Sequence, residues 1–489
     1  MNMRIPAEGW AKEHIISRLQ SLKENDVDWQ HGRAFSLVYP GSAEHASIIE
    51  KAHNMYLLEN ALNPFAFPSL RRLEAEVVRM TASMLHGDAN AVGTMTSGGT
   101  ESILLAVKAA RDLARSKRRR FFHPNIVVPE SAHVAFDKAA HFLGCEIRYA
   151  RLDASMRADV KDMESLIDAN TVLLVASAPQ YPHGVIDPIP EIAELAQKRK
   201  IPLHVDACIG GFFLPWAERL GKAVPPWDFR VKGVTSISAD VHKFGYGAKG
   251  ASVLVYRSME LLRHQFFVSS DWPGGIYASP TLLGTRGGGP IAAAWAAIMA
   301  MGEKGYMQQV ERALRATQRL VEGIEATGRL RLVTKPDMSI VAWTTRKESR
   351  LDIFAIAEKL EERGWLVDRQ QHPNSIHCTV MAHHEDHIDE YLSDINDSIA
   401  FLEGHPNYQV HGNAAIYGMA ARLPLRGMVK QGVLDLMERL YGPKAGEPGH
   451  NPLVPEQKRG LHVLWEKYGP KALAWMERLG LRRDRRKHS

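Results

Sequence analysis

Two short apolar runs, each leading to a chemically active side chain, constrain the fold of this chain most. The run 202–205 ends directly before Asp206, and the run 234–237 is followed after a short turn by His242 and Lys243. Apolar runs of this length between helical patterns are typical of buried strands in a parallel sheet. Ligands of such sheets bind beyond the carboxyl ends of the strands. We therefore expect Asp206 and Lys243 to face one ligand site.

Three more β-rich runs, 125–128, 171–176 and 251–256, alternate with helical patterns along the chain. The alternation predicts an α/β fold with a mainly parallel sheet that is covered by helices on both faces. A glycine-rich loop, 284–290, precedes a predicted helix, 291–301. The predicted division is an N-terminal arm (1–60), a large domain (61–304), a smaller α+β domain (305–430) and a basic tail (431–489).

A lysine and an acid at neighbouring strand ends suit pyridoxal 5′-phosphate (PLP) as a cofactor. PLP needs a lysine that forms an imine and an anion that faces its pyridine nitrogen. Upstream, Thr96-Ser97-Gly98-Gly99-Thr100 opens an apolar-periodic run that predicts a helix. Glycines let a backbone approach a phosphate closely, and a helix start presents free N–H groups to it. A phosphate-type helix start, then an acid, then His-Lys, in that order, predicts a PLP site.

These blocks resemble the group II PLP-dependent decarboxylase superfamily and, within it, the sphingosine-1-phosphate lyases. The resemblance covers roughly residues 28 to 425, and its matching stretches are 67–76, 96–102, 131–140, 179–188, 204–208, 238–250, 271–280 and 415–420. The block Asp271-Trp-Pro-Gly-Gly-Ile-Tyr-Ala-Ser-Pro280 and the position of Lys249 point to the lyase branch. The resemblance implies the type I fold of PLP enzymes, which is similar to that of aspartate aminotransferase.

The resemblance also implies roles for the residues around the cofactor. Lys243 would form the Schiff base with PLP, Asp206 would pair with the pyridine nitrogen, and His133 would stack on the ring face. The residues that would bind the cofactor phosphate are Gly99, Thr100, His242 and, from a neighbouring subunit, Thr285. A phosphate ligand from a neighbouring subunit implies a homodimer with shared active sites.

On the substrate side, the resemblance implies a phosphate site and an active-site lining. The residues expected to bind the substrate phosphate are Tyr39, Asn60, Asn63 and Lys249. The residues expected to line the reacting centre are Tyr181, Cys208 and Tyr417, with Tyr181 or the freed Lys243 as a proton carrier. The chain departs from the family at 35–36, where Phe-Ser replaces Ser-Gly, and at Asn63, which replaces a histidine. Asparagine can donate a hydrogen bond but carries no charge.

The activity implied by the resemblance is that of a PLP-dependent carbon–carbon lyase. Such an enzyme cleaves phosphorylated sphingoid bases, for example sphingosine 1-phosphate, to a long-chain aldehyde and phosphoethanolamine. Two alternatives stay open: an amino-acid decarboxylase, which uses the same electron sink to release carbon dioxide, and a PLP-fold protein that only binds. Lys249 together with Tyr39 favours the lyase, and the intact Asp206 and Lys243 pair disfavours a non-catalytic protein.

Composition and charge exclude several other classes of protein. The net charge of +6 is modest for 489 residues, and its basic clusters, 116–120 and 481–489, fit a solvated helix end and a tail better than a nucleic-acid site. The three cysteines lie far apart and form neither a disulfide framework nor a zinc motif, so no metal is expected. No apolar run has the length of a membrane span or a signal peptide. We expect a soluble cytoplasmic protein, with secretion into a host as the open alternative.

Overall fold

The structure is a computed structural model that describes residues 4–117, 123–410, 426–443 and 445. Tyr417 and most of the predicted basic tail lie outside these residues. The helices of the described chain, numbered in chain order, are α1 (Lys12–Leu22), α2 (Ala43–Met55), α3 (Pro68–Met84), α4 (Gly99–Lys117), α5 (Ala135–Leu143), α6 (Val160–Ser165), α7 (Ile189–Arg199), α8 (Leu214–Arg219), α9 (Met259–Leu262), α10 (Gly288–Ala326), α11 (Ile353–Glu362), α12 (Ile388–Gly404) and α13 (Arg426–Tyr441).

A seven-stranded sheet forms the centre of the molecule and confirms the predicted α/β class. Its strands are β1 (Val92–Thr96), β2 (Asn125–Pro129), β3 (Glu146–Ala150), β4 (Thr171–Ser177), β5 (Leu203–Asp206), β6 (Val234–Ala239) and β7 (Ser252–Tyr256). They are arranged in the order β1-β7-β6-β5-β4-β2-β3. Strand β7 pairs antiparallel with β1 and β6, and the remaining pairs in the sheet are parallel. Every predicted β-rich run lies in or overlaps one of these strands.

Alternate residues of the central strands enter two different hydrophobic cores. In β2, Val127 belongs to the core that is shared with α3, α7, α8 and α10, whereas Ile126 and Val128 belong to the core under α4 and α5. In β4, Leu174 and Val175 divide in the same way. Successive side chains of a strand point to opposite faces, so strands that are apolar throughout require cover on both sides. Because both faces of the sheet are covered, its carboxyl edge is where the strands lead into polar residues.

A second, antiparallel sheet lies toward the C-terminal end of the described chain. Its strands are β10 (Leu330–Leu332), β11 (Ile340–Thr345), β12 (Asp368–Gln370) and β13 (Ser375–Thr379), in the order β10-β11-β13-β12. Helices α11 and α12 pack with it into a separate hydrophobic core, which also includes Phe35 from the N-terminal segment. A small hairpin of β8 (Phe267–Ser269) and β9 (Tyr277–Ser279) completes the described strands.

Helix α10 consists of two helical segments that are separated by a break at Gly302. At Gly302 the backbone is non-helical, with φ 55° and ψ 173°, so the first segment begins at Gly288 and ends before this glycine, in agreement with the predicted helix 291–301. The break lies close to position 304, where we expected a domain boundary, and the division into domains stays a prediction. Among the residues that the structure describes, no helix combines the length and the apolar character that a membrane span requires.

Candidate active site

The two residues that the sequence placed at strand ends lie at the same edge of the sheet. Asp206 is the last residue of β5, and Lys243 follows the end of the adjacent, parallel β6 by four residues. Asp206 is 8% exposed, and its Oδ1 accepts hydrogen bonds from the Cys208 N–H (3.1 Å) and the Ser238 hydroxyl (3.3 Å). These bonds fix the direction of the carboxylate at the carboxyl edge.

Lys243 is paired with a carboxylate to which the sequence assigned no role. Its Nζ lies 3.0 Å from Oδ2 of Asp240, whose side chain is 1% exposed. Burial alone would lower the pKa of Lys243, but the negative charge of Asp240 outweighs burial and raises it well above the ordinary value. Burial likewise opposes ionisation of Asp240, yet Lys243 and His242 hold the pKa of that carboxyl far below its usual range. The free lysine is therefore an ammonium group in an ion pair.

The start of α4 packs directly against these strand ends. A Cβ atom on Gly99 would lie 2.7 Å from Sγ of Cys208 and 2.9 Å from Oδ2 of Asp240, so only glycine fits there. A Cβ on Gly98 would lie 3.2 Å from the ring of His242. The helix start, which offers free N–H groups to an anion, is thus brought against the turn that carries Lys243.

A buried glutamate in the first turn of α4 organises the surrounding loops. One carboxylate oxygen of Glu101 accepts hydrogen bonds from the N–H and the hydroxyl of Ser97, both at 2.7 Å. The other oxygen accepts from the N–H of Leu282 (3.0 Å). The contact joins the helix start to the segment that leads to Thr285. Thr100, in the same turn of α4, is exposed to solvent.

Lys249 and Tyr39 meet next to the turn that contains Lys243. The Nζ of Lys249 lies 5.0 Å from the centre of the Tyr39 ring and donates to the carbonyl of His242 (3.2 Å). Partial burial, followed by repulsion from Lys243, lowers the pKa of Lys249 to about 8. Burial raises the pKa of Tyr39 to about 12, against the opposing charge of Lys243. A cation and a phenol hydroxyl therefore stand beside the lysine ion pair.

His133 and Tyr181 approach each other on another side of this group. His133 precedes α5 and is exposed, and its Nδ1 accepts a hydrogen bond from the Ala135 N–H (3.1 Å). Its ring is 6.5 Å from that of Tyr181, at 88°. Tyr181 stacks on His377, with ring centres 4.2 Å apart, and interacts electrostatically with Lys243. An exposed imidazole with a fixed ring nitrogen is available to a planar ligand.

Three of the predicted site residues, Asn60, Asn63 and Thr285, lie on adjoining loops. Oδ1 of Asn60 accepts a hydrogen bond from the N–H of Leu62 (3.2 Å), and Oδ1 of Asn63 accepts one from the N–H of Phe65 (2.9 Å). The Asn60 loop pairs with the Thr285 loop through an isolated bridge to Gly287. Thr285 and Asn63 are both exposed. The predicted site residue Tyr417 lies outside the described residues.

The residues at the carboxyl edge fit PLP. A helix start with two glycines and the exposed Thr100 suits a phosphate, while the side chain of Lys243 remains 25% exposed toward the same space. Oδ1 of Asp240 is buried and has no hydrogen-bond partner among the described residues. An unsatisfied buried oxygen next to an imine-forming lysine is the arrangement that a polar ligand would complete.

Comparison with known proteins decides the family. The pyridoxal-dependent decarboxylase conserved domain matches residues 6–346. Sphingosine-1-phosphate lyase 1 of Rattus norvegicus is 43% identical over 440 residues, which cover 89% of this chain and 77% of the relative. The chain belongs to the pyridoxal-dependent decarboxylase family, in its sphingosine-1-phosphate lyase branch. It is therefore a PLP-dependent lyase, as the resemblance implied.

A solved structure and a decarboxylase extend the comparison. The solved sphingosine-1-phosphate lyase of Burkholderia pseudomallei superposes with a TM-score of 0.80 at 36% identity, and the match covers 89% of this chain and 97% of that chain. The L-aspartate/L-glutamate decarboxylase of Pyrococcus horikoshii is 33% identical over 399 residues, 81% of this chain and 100% of the relative. The type I fold of PLP enzymes is thereby confirmed for this lyase-family chain.

Sequence reasoning missed several residues of this site. Asp240 stands three residues before Lys243, within a motif that was already singled out, and its acidity was the available signal. Glu101 lies two residues after the glycine pair. An acidic residue in the first turn of a helix is common, so the sequence did not indicate the role of this glutamate. Asp368 and His377 lie in the second sheet, far along the chain from any motif. No local pattern connects these two residues with Tyr181.

Proposed function

We propose that this family member cleaves phosphorylated sphingoid bases to a long-chain aldehyde and phosphoethanolamine. The observation that carries the proposal is the pair of Lys249 and Tyr39, whose cation and ring lie 5.0 Å apart beside the turn of Lys243. A lysine and a phenol hydroxyl are suitable donors for a phosphate that takes no part in the bond cleavage. The 43% identity to the rat sphingosine-1-phosphate lyase supports the same substrate class.

The residues at the carboxyl edge would divide the work of a retro-aldol cleavage. PLP, when bound, supplies a ring that takes up the electron pair released as a bond at the amine-bearing carbon breaks. Asp206 would hold the pyridine nitrogen, and the exposed ring of His133 would cover the cofactor face. Gly99, Thr100 and His242 would bind its phosphate. Cys208, which is buried next to Gly99, would line the site.

Protons and electrons balance within these residues. The C3 hydroxyl of the substrate loses its proton to a base as the C2–C3 bond breaks, and C3 becomes the aldehyde carbon. C2 must then receive a proton from a residue of the site, and the cofactor, when bound, would supply the electron sink until it does. The ammonium of Lys243, maintained by Asp240, is a proton donor at this position. Tyr181, whose phenol interacts electrostatically with Lys243, is the candidate carrier of the hydroxyl proton.

Incubation with sphingosine 1-phosphate tests the proposal directly. The purified protein with PLP should produce equal amounts of long-chain aldehyde and phosphoethanolamine, both detected by mass spectrometry. The Lys243→Ala variant is the matched control and should produce neither. Absence of aldehyde from a PLP-loaded parent protein would refute the proposed substrate.

An amino-acid decarboxylase is the second candidate, because the decarboxylase of Pyrococcus horikoshii is 33% identical over its whole length. Its reaction would release carbon dioxide from aspartate or glutamate through the same lysine. Labelled carbon dioxide from these amino acids, without aldehyde from the phosphorylated base, would favour this activity over the lyase.

We also propose that the active unit is a homodimer with shared sites. The loops of Thr285 and Asn60 pair with each other, and their neighbours Leu58, Phe65 and Ile276 are apolar and strongly exposed, at 88%, 80% and 81%. Exposed apolar side chains grouped on adjoining loops are typical of a protein interface. An exposed Thr285 on such a surface would reach the cofactor phosphate of the partner.

A further inference from the structure

The loop that carries Thr285 is fixed on both sides of this residue by carboxylates from α3 and α4. Before Thr285, the N–H of Leu282 donates to Oε1 of Glu101 (3.0 Å). After it, the guanidinium of Arg286 donates to both carboxylate oxygens of Glu74, at 2.6 and 3.0 Å. Thr285 itself is exposed, whereas Arg286 is buried. The exposed threonine therefore lies between two anchored positions.

Both carboxylates also hold the segment that leads into the glycine pair at the start of α4. Glu74 accepts a hydrogen bond from the N–H of Met95 (3.0 Å), and Arg286 donates to the carbonyl of the same residue (3.3 Å). Oε2 of Glu101 accepts from the N–H and the hydroxyl of Ser97, both at 2.7 Å. The loop of the threonine and the start of α4 thus share the same two anchors.

The stretch around Leu282 is tightly turned. Ser279 and Thr281 are buried, and their hydroxyls donate to the carbonyl of Leu283, at 3.2 and 3.0 Å. These bonds enclose the N–H that α4 holds, so a displacement at Leu282 would pass along the chain rather than be absorbed locally. The exposed threonine lies two residues beyond Leu283. Its position therefore depends on the hydrogen bond from Leu282 to α4.

The two anchors differ in their partners. Glu74 is paired with the cation of Arg286, whereas the donors to Glu101, which are two N–H groups and a hydroxyl, are uncharged. Glu101 is 6% exposed, and a buried carboxylate that depends on uncharged donors loses much of its stabilisation when one of them moves. A glutamine has one accepting oxygen, so it could keep the bonds of Ser97 or the bond of Leu282 but not both.

We propose that Glu101 is the positioning residue of Thr285: it fixes the loop that would complete the phosphate site of the partner against the helix start of its own site. The inference rests on the proposed homodimer with shared sites. One oxygen of Glu101 holds the segment beside the phosphate-type helix start, and the other holds the loop that would reach into the neighbouring subunit. A change at Glu101 should therefore weaken PLP binding in the partner, where no residue has been altered.

A hybrid dimer with one reporting site separates this effect from changes within the altered chain itself. One chain is the parent, and the second chain carries Lys243→Ala together with the substitution under test. Only the parent chain can then link PLP to its lysine, so the absorbance of the lysine-bound cofactor reports that site alone. The reporting site keeps its own α4 and receives Thr285 from the second chain. The reference is the hybrid whose second chain carries Lys243→Ala alone.

Glu101→Gln in the second chain should weaken PLP binding at the reporting site by up to about tenfold, because the displaced Thr285 no longer makes its full hydrogen bond to a charged phosphate. Combined with Thr285→Ala on the same chain, it should cause no further loss, since both changes act on one contact. Glu191→Gln is the matched control, because it also removes a carboxylate from the first turn of a helix, α7, where that side chain is exposed. This hybrid should bind PLP as the reference does. An unchanged affinity with Glu101→Gln, or losses that multiply with Thr285→Ala, would overturn the proposal.

Thr285→Ala alone in the second chain distinguishes this inference from the proposals on which it rests. If it leaves the PLP affinity of the reporting site unchanged, the shared site is refuted, and the role of Glu101 with it. If it weakens binding while Glu101→Gln does not, only the role of Glu101 is refuted. The titration uses no substrate, so a parent that cleaves no sphingoid base would refute the lyase activity and leave this test intact. If Glu101→Gln does not fold, Ser97→Ala takes its place, because it removes one of the hydrogen bonds to Oε2. It should cause a smaller loss in the same direction, and no loss at all would overturn the proposal.

Discussion

The Nζ of Lys243 lies 3.0 Å from the buried carboxylate of Asp240, and this ion pair sets the protonation state of the lysine that must react with PLP. A lysine attacks a carbonyl only as a neutral amine. Asp240 favours the charged form of Lys243, so this lysine is an ammonium group in the protein without cofactor. The ion pair therefore resists imine formation in the free protein and supplies a proton donor once the lysine has been displaced by substrate.

Asp240→Asn should shift imine formation to lower pH. Without the carboxylate, burial is left to dominate and lowers the pKa of Lys243, so more neutral amine is present near neutral pH. Visible absorbance after mixing with PLP, followed across pH, measures the shift. Lys243→Ala is the control and should show no borohydride-reducible link to the cofactor. An unchanged pH dependence in Asp240→Asn would contradict this account.

Lys249→Ala should weaken the use of phosphorylated substrate without disturbing the bound cofactor. A hydrogen bond to a charged group contributes about 1.5–3 kcal/mol, so kcat/KM should fall about tenfold to a hundredfold. The cofactor spectrum should stay that of the parent. Asn63→His, which introduces the family residue, should be tolerated.

The same lysine should make substrate binding dependent on pH. The pKa of Lys249 is lowered to about 8. Its positive charge is therefore present below that pH and lost above it, and KM for the phosphorylated substrate should rise as pH passes through this value. Lys249→Arg keeps the charge and should flatten the rise. A KM that rises equally in both proteins would assign the effect to another group.

Gly99→Ala should reduce the affinity for PLP. The new methyl group would lie 2.7 Å from Sγ of Cys208 and 2.9 Å from Oδ2 of Asp240, which pushes the helix start away from the lysine turn. Equilibrium titration with PLP measures the loss. Gly404→Ala serves as the control, since a Cβ at that position meets no atom within 4 Å. Equal affinities of both variants and the parent would argue against phosphate binding at the start of α4.

A hybrid of two inactive chains tests the shared site. Lys243→Ala lacks the imine lysine, and Thr285→Glu would place a negative charge against the partner's cofactor phosphate. In a mixed dimer, one site keeps both Lys243 and a normal Thr285, so some activity should return on mixing. Hybrids verified by mass but without activity would refute the sharing.

The sequence by itself determined the central sheet, the family and the residues at the carboxyl edge. Apolar runs such as 172–176 require a sheet that is covered on both faces, and the order of these runs places Asp206 and Lys243 together. The glycine pair before α4 and the block around Lys243 are local patterns, because phosphate binding and imine formation need particular residues in particular short segments.

Tertiary structure alone decided which distant groups control these residues. Asp240 contacts Lys243 because the turn after β6 folds the lysine side chain back toward the end of that strand. His377, the register partner of Asp368, stacks on Tyr181 only because the second sheet closes on the loop after β4. Burial and electrostatic coupling depend on what the rest of the chain packs against a group. Such contacts between residues far apart in sequence leave no periodicity or motif, so their effects on protonation become visible only in the folded molecule.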